Sequence, residues 1–366
     1  MDNYEFPIAM LKRLASESQG NVFYSPLSLS MAMGMTYAGS GGATKEQIAR
    51  VFHFPLQDDT MHTALGNSLM RINSLGGNGV EIRMVNQLWA DSQYEFLKPY
   101  LKGVEAAYHA PVKTMPFRMK PSQSREEINK WVANRTNGRI EDLLPNDAIT
   151  SLTALILTNA VYFSAPWANR FDPDATTQDT FYPSPQRQLQ CSMMHRSGKY
   201  NLHVGCSFQT LELPYAGNKF SMVIILPNEG VLLQGVVDSL TPTGLGYMLD
   251  NLVQADVNIS LPRFKLLHEY NMRKTLTEMG MPIAFSDEAD FTRMSAASDL
   301  KISNVFHKAF VEVSEEGTEA AAATAVVIMR KSAAIPHDFI VNRPFIFLIR
   351  EMETGIILFM GRVVEV

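Results

Sequence analysis

Apolar positions recur at helical spacing through the first third of the chain and at strand spacing thereafter. Phe6-Pro7-Ile8-Ala9-Met10-Leu11-Lys12-Arg13-Leu14 carries apolar side chains three and four apart and predicts a helix. A second helix is predicted after Ser25, whose hydroxyl suits a cap, with Pro26 in the first turn. Thr44 and Gln47 are spaced as a capping box for a third. Ser124 ahead of Ile128 and Trp131 predicts another start, and Thr136-Asn137-Gly138 reads as its stop. From about residue 152 the pattern changes. Residues 152–163 and 219–227 are continuous apolar runs, as expected of strands covered on both faces. Val257, Ile259 and Leu261 alternate with Asn258 and Ser260, as in a half-exposed strand. Residues 271–279 predict a helix closed by Gly280 and Pro282, and residues 345–349 and 355–364 predict two more strands. Helices first and strands later indicate an α+β architecture with large antiparallel or mixed sheets. No repeat, low-complexity stretch or linker divides the sequence, so one domain is expected over residues 1–366.

Composition narrows the function more than the fold. With 366 residues, 46% hydrophobic and 19% charged, the chain is ordinary globular material, large enough to fold without disulfides or metal. A net charge of −5 gives no footprint for nucleic acid. The apolar runs fall short of the ~20 residues that cross a bilayer, so no membrane partner is expected. Met1-Asp2-Asn3-Tyr4-Glu5 has neither a basic start nor an apolar run. No leader is expected, and the chain reads as intracellular or as a secreted mature form. Cys191 and Cys206 lack C-x-x-C spacing and are expected to be free, largely buried thiols. The eight histidines do not cluster at ligand spacing, and there is no G-x-S-x-G or H-E-x-x-H. Neither metal, cofactor nor catalytic residue is expected. Asn134 and Asn258 head formal glycosylation sequons, both inside predicted elements.

Residues 315–335 break the pattern. Phe310-Val311-Glu312-Val313 alternates as a strand and runs to Gly317, and a new strand follows Pro336. A connection of about twenty residues between strands is usually functional. Two readings of its alanine-rich start are open. Ala320–Ala323 suits a short helix, with Glu319 favourable to the helix dipole. Alternatively, Thr318, Ala320, Ala322 and Thr324 share one parity and are all small, so the segment can slide between two existing strands. A dozen new ladder bonds at ~0.5–1.5 kcal/mol each would release on the order of 10 kcal/mol. A buried charge on the inward parity would cancel much of that gain, and the first charge after Glu319 is Arg330.

At this point the chain resembles the serpins, whose loop inserts into a sheet as an added strand. The resemblance runs from about Phe6 to Val364 and is carried by four motifs in order. These are Asn21-Val22-Phe23-Tyr24-Ser25-Pro26-Leu27-Ser28; Leu157-Thr158-Asn159-Ala160-Val161-Tyr162-Phe163 with Trp167 beyond; the hinge Glu315-Glu316-Gly317-Thr318-Glu319-Ala320-Ala321-Ala322-Ala323; and Phe339-Ile340-Val341-Asn342-Arg343-Pro344-Phe345 with Leu358-Phe359-Met360-Gly361-Arg362. It implies a serpin fold of eight or nine helices around three β-sheets, with an exposed reactive centre loop over residues 315–336. It also implies a monomeric suicide inhibitor with no catalytic residue of its own. Family spacing from Gly317 puts the scissile bond at Lys331–Ser332, with Arg330 as the alternative. A long cation suits a trypsin-like serine protease. A cysteine protease is a further target class, and a paired-basic convertase fits less well because Ile328 stands where arginine would be needed. By the same resemblance Ser25, Ser28, Asn159 and His307 form the shutter, and Trp167 marks the breach. Residues 63–85, read as the fourth-helix region, offer only Arg71 and Arg83, so strong heparin binding is not expected. The glycines around Gly76-Gly77-Asn78-Gly79 leave no room for a long insert between the third and fourth helices. The competing class is a serpin-fold protein that stores, carries or chaperones rather than inhibits.

Overall fold

The computed structural model describes residues 4–55, 58–77, 79–318 and 335–366. The first third supplies α1 (Glu5–Glu17), β1 (Val22–Tyr24), α2 (Pro26–Ala38), α3 (Gly42–Phe52), α4 (Asp58–Ser74), β2 (Glu81–Asp91), α5 (Lys98–Tyr108), β3 (Lys113–Met115) and α6 (Pro121–Arg135). Then come β4 (Leu155–Pro166), β5 (Thr177–Ser184), β6 (Arg187–Val204), β7 (Phe208–Pro214) and β8 (Phe220–Pro227). The chain continues through α7 (Leu233–Ser239), α8 (Pro242–Asp250), β9 (Val253–Pro262), β10 (Phe264–Asn271), α9 (Arg273–Met279), β11 (Ile302–Val313) and β12 (Gly317–Thr318). It ends with β13 (His337–Ile340), β14 (Phe345–Glu351) and β15 (Ile357–Val363).

The strands form a mixed six-stranded sheet ordered β10-β11-β12-β4-β2-β3 and a nine-stranded sheet containing the rest. Two of the three expected sheets are continuous, because β6 is 18 residues long and pairs with β5, β9 and β7 along its length. The apolar run in β4 follows from burial on both sides. Leu155, Leu157, Val161 and Phe163 enter the main core, while Ile156 and Ala160 pack with Ile128 and Val132 under α6. Phe306 of β11 joins the second cluster and Val305 the first, so β4 and β11 present matching faces.

Several local expectations change. Ser25 caps α2 by accepting from the Ser28 amide, as its position predicts. The capping box at Thr44 and Gln47 does not form, because α3 already starts at Gly42. Those side chains instead accept from the amides of Asp290 and Ile283, tying α3 to the segment after α9. Ser124 is a buried interior residue of α6, with no partner for its hydroxyl among the described residues, because Pro121 opens the helix one turn earlier. The glycines at 76, 77 and 79 lie between α4 and β2, not between the third and fourth helices. Cys191 is buried, but Cys206 is exposed in the β6–β7 turn.

Candidate functional site

The six-stranded sheet forks at one end. β4 and β11 run parallel and pair directly from Leu155 and Ile302 to Tyr162 and Phe310. Beyond that point β12 enters between them. Thr318 pairs with Ala165 of β4 on one side and with Val313 of β11 on the other, and Gly317 pairs with Pro166. The two hinge residues thus already occupy the position of an inserted strand, and the ladder below them is closed. No described strand separates β4 from β11 below the fork.

Each hinge residue is held by a distinct contact. A tight turn links Ser314 and Gly317, whose amides and carbonyls exchange bonds of 2.9 and 3.2 Å. Gly317 has φ of 151°, and a Cβ there would stand 2.1 Å from the Ala165 carbonyl oxygen. Only glycine fits that approach. Thr318 is fully buried and its hydroxyl lies 2.6 Å from that of Tyr215. Trp167 donates Nε1–H to the Ser314 carbonyl at 2.9 Å and its amide to Glu316 O at 2.9 Å, and its ring stacks on Tyr215 at 4.6 Å. Glu316 pairs with Arg170 at 2.5 Å. Glu315 accepts from Arg263 at 2.6–2.8 Å and from the Thr176 hydroxyl. Burial pushes the Glu315 carboxyl up, but hydrogen bonds from Arg263 and Thr176 outweigh it and hold it below its ordinary value.

Deeper in the same sheet, parallel register sets His307 of β11 beside Asn159 of β4, and antiparallel register sets Asn86 of β2 on its other side. The Ser25 amide donates to His307 Nε2 at 3.1 Å, so the ring proton is on Nδ1, which donates to the Asn159 side-chain oxygen. The Asn159 Nδ2 group donates to Ser28 Oγ at 2.6 Å and to Asn86. Ser28 donates to Asn86 Oδ1 at 3.1 Å, and Ser25 Oγ donates to the Leu358 carbonyl at 2.5 Å. Complete burial lowers His307 to about 3, which keeps it neutral. The network therefore bridges β2, β4, β11, β15 and the start of α2 through uncharged hydrogen bonds.

The structure brings Ser25, Ser28, Asn159 and His307 together, and places Trp167, Glu316, Gly317 and Thr318 in a second cluster at the fork. Glu319, Ala320, Ala321, Ala322, Ala323, Arg330, Lys331 and Ser332 lie outside the described residues. Sequence reasoning missed Asn86, Tyr215, Arg170 and Arg263. For Asn86 the sequence gives no signal, since Arg83 and Gln87 beside it in β2 are polar too, and for Tyr215 there was none.

Two parallel strands that part at one end around a two-residue segment, above a closed ladder, give the arrangement that the serpin resemblance implies. The whole chain, residues 1–366, matches the family model described as serpin (serine protease inhibitor), and the chain belongs to the serpin family. It is 38% identical to an uncharacterized serpin-like protein of Thermococcus kodakarensis, over 98% of this chain and 84% of that one. Among solved structures it superposes on human thyroxine-binding globulin complexed with thyroxine with a TM-score of 0.91, at 28% identity, covering 100% of this chain and 97% of that one. Serpin48, described as a highly specific serpin of the insect Tenebrio molitor, matches with a TM-score of 0.89 at 29% identity, over 100% and 99% of the two chains.

Proposed function

We propose that this protein is a suicide-substrate inhibitor of trypsin-like serine proteases, acting as a monomer and as one domain over residues 1–366. The protease serine Oγ attacks the Lys331 carbonyl carbon, the bond to the Ser332 nitrogen breaks, and that nitrogen leaves protonated. An ester then joins the protease to Lys331. Insertion of the freed segment between β4 and β11 drags the acylated protease along the sheet and distorts its oxyanion hole before water can deacylate it. The observation that carries this reading is the seating of Gly317 and Thr318 between β4 and β11. Insertion has only to continue from a strand end already in register. The small residues Ala320, Ala321, Ala322 and Ala323 follow directly in sequence. In this scheme Ser25, Ser28, Asn159 and His307 are the shutter and Trp167 the breach, holding the closed sheet until cleavage.

The test is to mix the protein with trypsin, run a denaturing gel, and weigh the released C-terminal peptide. A detergent-stable band at the summed mass and a peptide beginning at Ser332 are the expected results. Clean cleavage without that band would overturn the inhibitory reading in favour of a carrier or storage role. Thyroxine-binding globulin, a structural neighbour solved with thyroxine, makes that the class to examine next.

A further inference from the structure

Away from the hinge, five segments meet around a largely apolar cavity of about 130 Å³. They are the starts of α1 and α2, the end of α3 with the residues that follow it, α4, and the turn between β14 and β15. Phe6, Leu27, Phe52, Met61, Leu65 and Ile357 are among the apolar side chains of its wall, and all but Leu65 are buried. An apolar cavity of about 150 Å³ stays dry and takes up benzene or xenon, so this space matches a single ring.

The polar groups on the wall are few and already engaged, Ser30 apart. Ser68 donates back to the Ala64 carbonyl at 2.8 Å, and the Pro7 carbonyl accepts from the Tyr24 hydroxyl at 2.5 Å. His53 is the only lining side chain that can carry a charge, and Glu5 holds it at 2.9 Å. A charged ligand would gain little there, because the one titratable ring is paired with a carboxylate. Two of the walls continue into the shutter. Pro26 and Leu27 stand between Ser25 and Ser28, and Ile357 precedes Leu358, whose carbonyl accepts from Ser25 Oγ.

We propose that this cavity binds one small neutral aromatic molecule, a single ring, and that the occupant braces the start of α2 against β15. It fills space that no described side chain fills, so it adds dispersion contacts without desolvating a charged group. An occupant touching Pro26, Leu27 and Ile357 packs against both elements that Ser25 joins.

Benzene is the probe, titrated into the full-length protein by calorimetry, with hydrogen exchange read at the amides of Leu27, Ser28 and Leu29. One saturable equivalent and a raised melting temperature are expected. Exchange at those three amides should slow by about twofold or more, and exchange in α5, which does not line the cavity, should not. Benzoate should bind more weakly than benzene by about tenfold or more, because its charge would be buried without a partner. Ala64 is half-buried on α4, so Ala64→Leu can fill part of the space without rebuilding the core. That variant should weaken benzene by roughly tenfold, and the benzoate comparison needs no variant at all. Non-saturating uptake, equal affinity for benzoate, unchanged affinity in the Ala64 variant, or equal slowing of exchange in α5 would overturn the proposal. No protease enters the experiment, so its outcome is independent of the inhibitory reading.

Discussion

The Thr318 hydroxyl meets the Tyr215 hydroxyl at 2.6 Å, and both side chains are fully buried. This contact anchors the last described hinge residue to β4's neighbouring layer. Under the proposed inhibitory reading, position 318 is therefore where a larger side chain would first meet buried surface.

Thr318→Arg should leave cleavage intact and remove trapping. The variant forces a cation into a fully buried site whose side-chain partner is the Tyr215 hydroxyl, so insertion slows while deacylation does not. On a denaturing gel with trypsin, cleaved inhibitor should replace the covalent band. Full trapping at unchanged stoichiometry would contradict insertion past Tyr215.

Gly317→Ala should displace the hinge from the fork. The new Cβ would stand 2.1 Å from the Ala165 carbonyl oxygen and 2.6 Å from Pro166 Cα, both backbone atoms that cannot rotate away. Trp167 donates to Ser314 in the adjoining turn, so its emission should shift and proteolysis near Glu316 should accelerate.

His307 should make stability fall as pH drops. Its folded value, lowered by burial to about 3, is below the ordinary value near 6.5, so the unfolded chain binds the extra proton. The contribution is complete above about pH 6.5 and declines toward about pH 3, by on the order of a few kcal/mol across the whole window. His268 is also lowered by burial, so the comparison must be with His307→Gln, whose melting temperature should vary less between about pH 6.5 and 5. An identical pH profile in that variant would exclude His307 as the source.

Glu351 should govern a lower window. Burial raises its carboxyl, but hydrogen bonds from Arg71 at 3.0–3.2 Å and from Thr354 outweigh this and bring it to about 2. Its contribution is therefore present above the ordinary carboxylate range near 4.3 and is lost as pH falls toward about 2. Glu351→Gln should destabilise the protein at neutral pH by about 1–3 kcal/mol, since Arg71 and the turn amides lose a charged acceptor. Thermal melts at neutral pH and near pH 3 check this: the variant's deficit should narrow in acid.

Arg330→Ala with Lys331→Ala should abolish complex formation with trypsin while leaving the melting temperature within about 1 °C, because both positions lie in a stretch with no predicted core role. Lys331→Ala alone should move any residual cleavage to Arg330, seen as a one-residue change in the released peptide. An unaltered peptide would move the scissile bond elsewhere in the loop.

Much of the fold was legible because burial leaves a period in the sequence. β4 read as a two-sided strand since α6 covers one face and the main core the other. β9 read as half-exposed since Val257, Ile259 and Leu261 are buried and Asn258 and Ser260 are not. β2 was hidden inside the third read as helical, because Arg83, Asn86 and Gln87 interrupt its apolar residues. Asn86 is explained only by partners in α2 and β4 that are 58 and 73 residues distant in sequence. Thr44, Gln47 and Ser124 misled for a related reason. A hydroxyl or amide near a helix start suits a cap, and tertiary contacts or an earlier proline decided otherwise.

By itself the sequence determined the class of architecture, the small-residue hinge and the family motifs, since these depend on side-chain size, spacing and local capping. Only the tertiary structure decided that Gly317 and Thr318 stand between β4 and β11, and that His307, Asn159, Asn86 and Ser28 share one network. Strand register brings together residues far apart in the chain. Register is set by the packing of both faces of the sheet at once, and no local stretch of sequence carries that information.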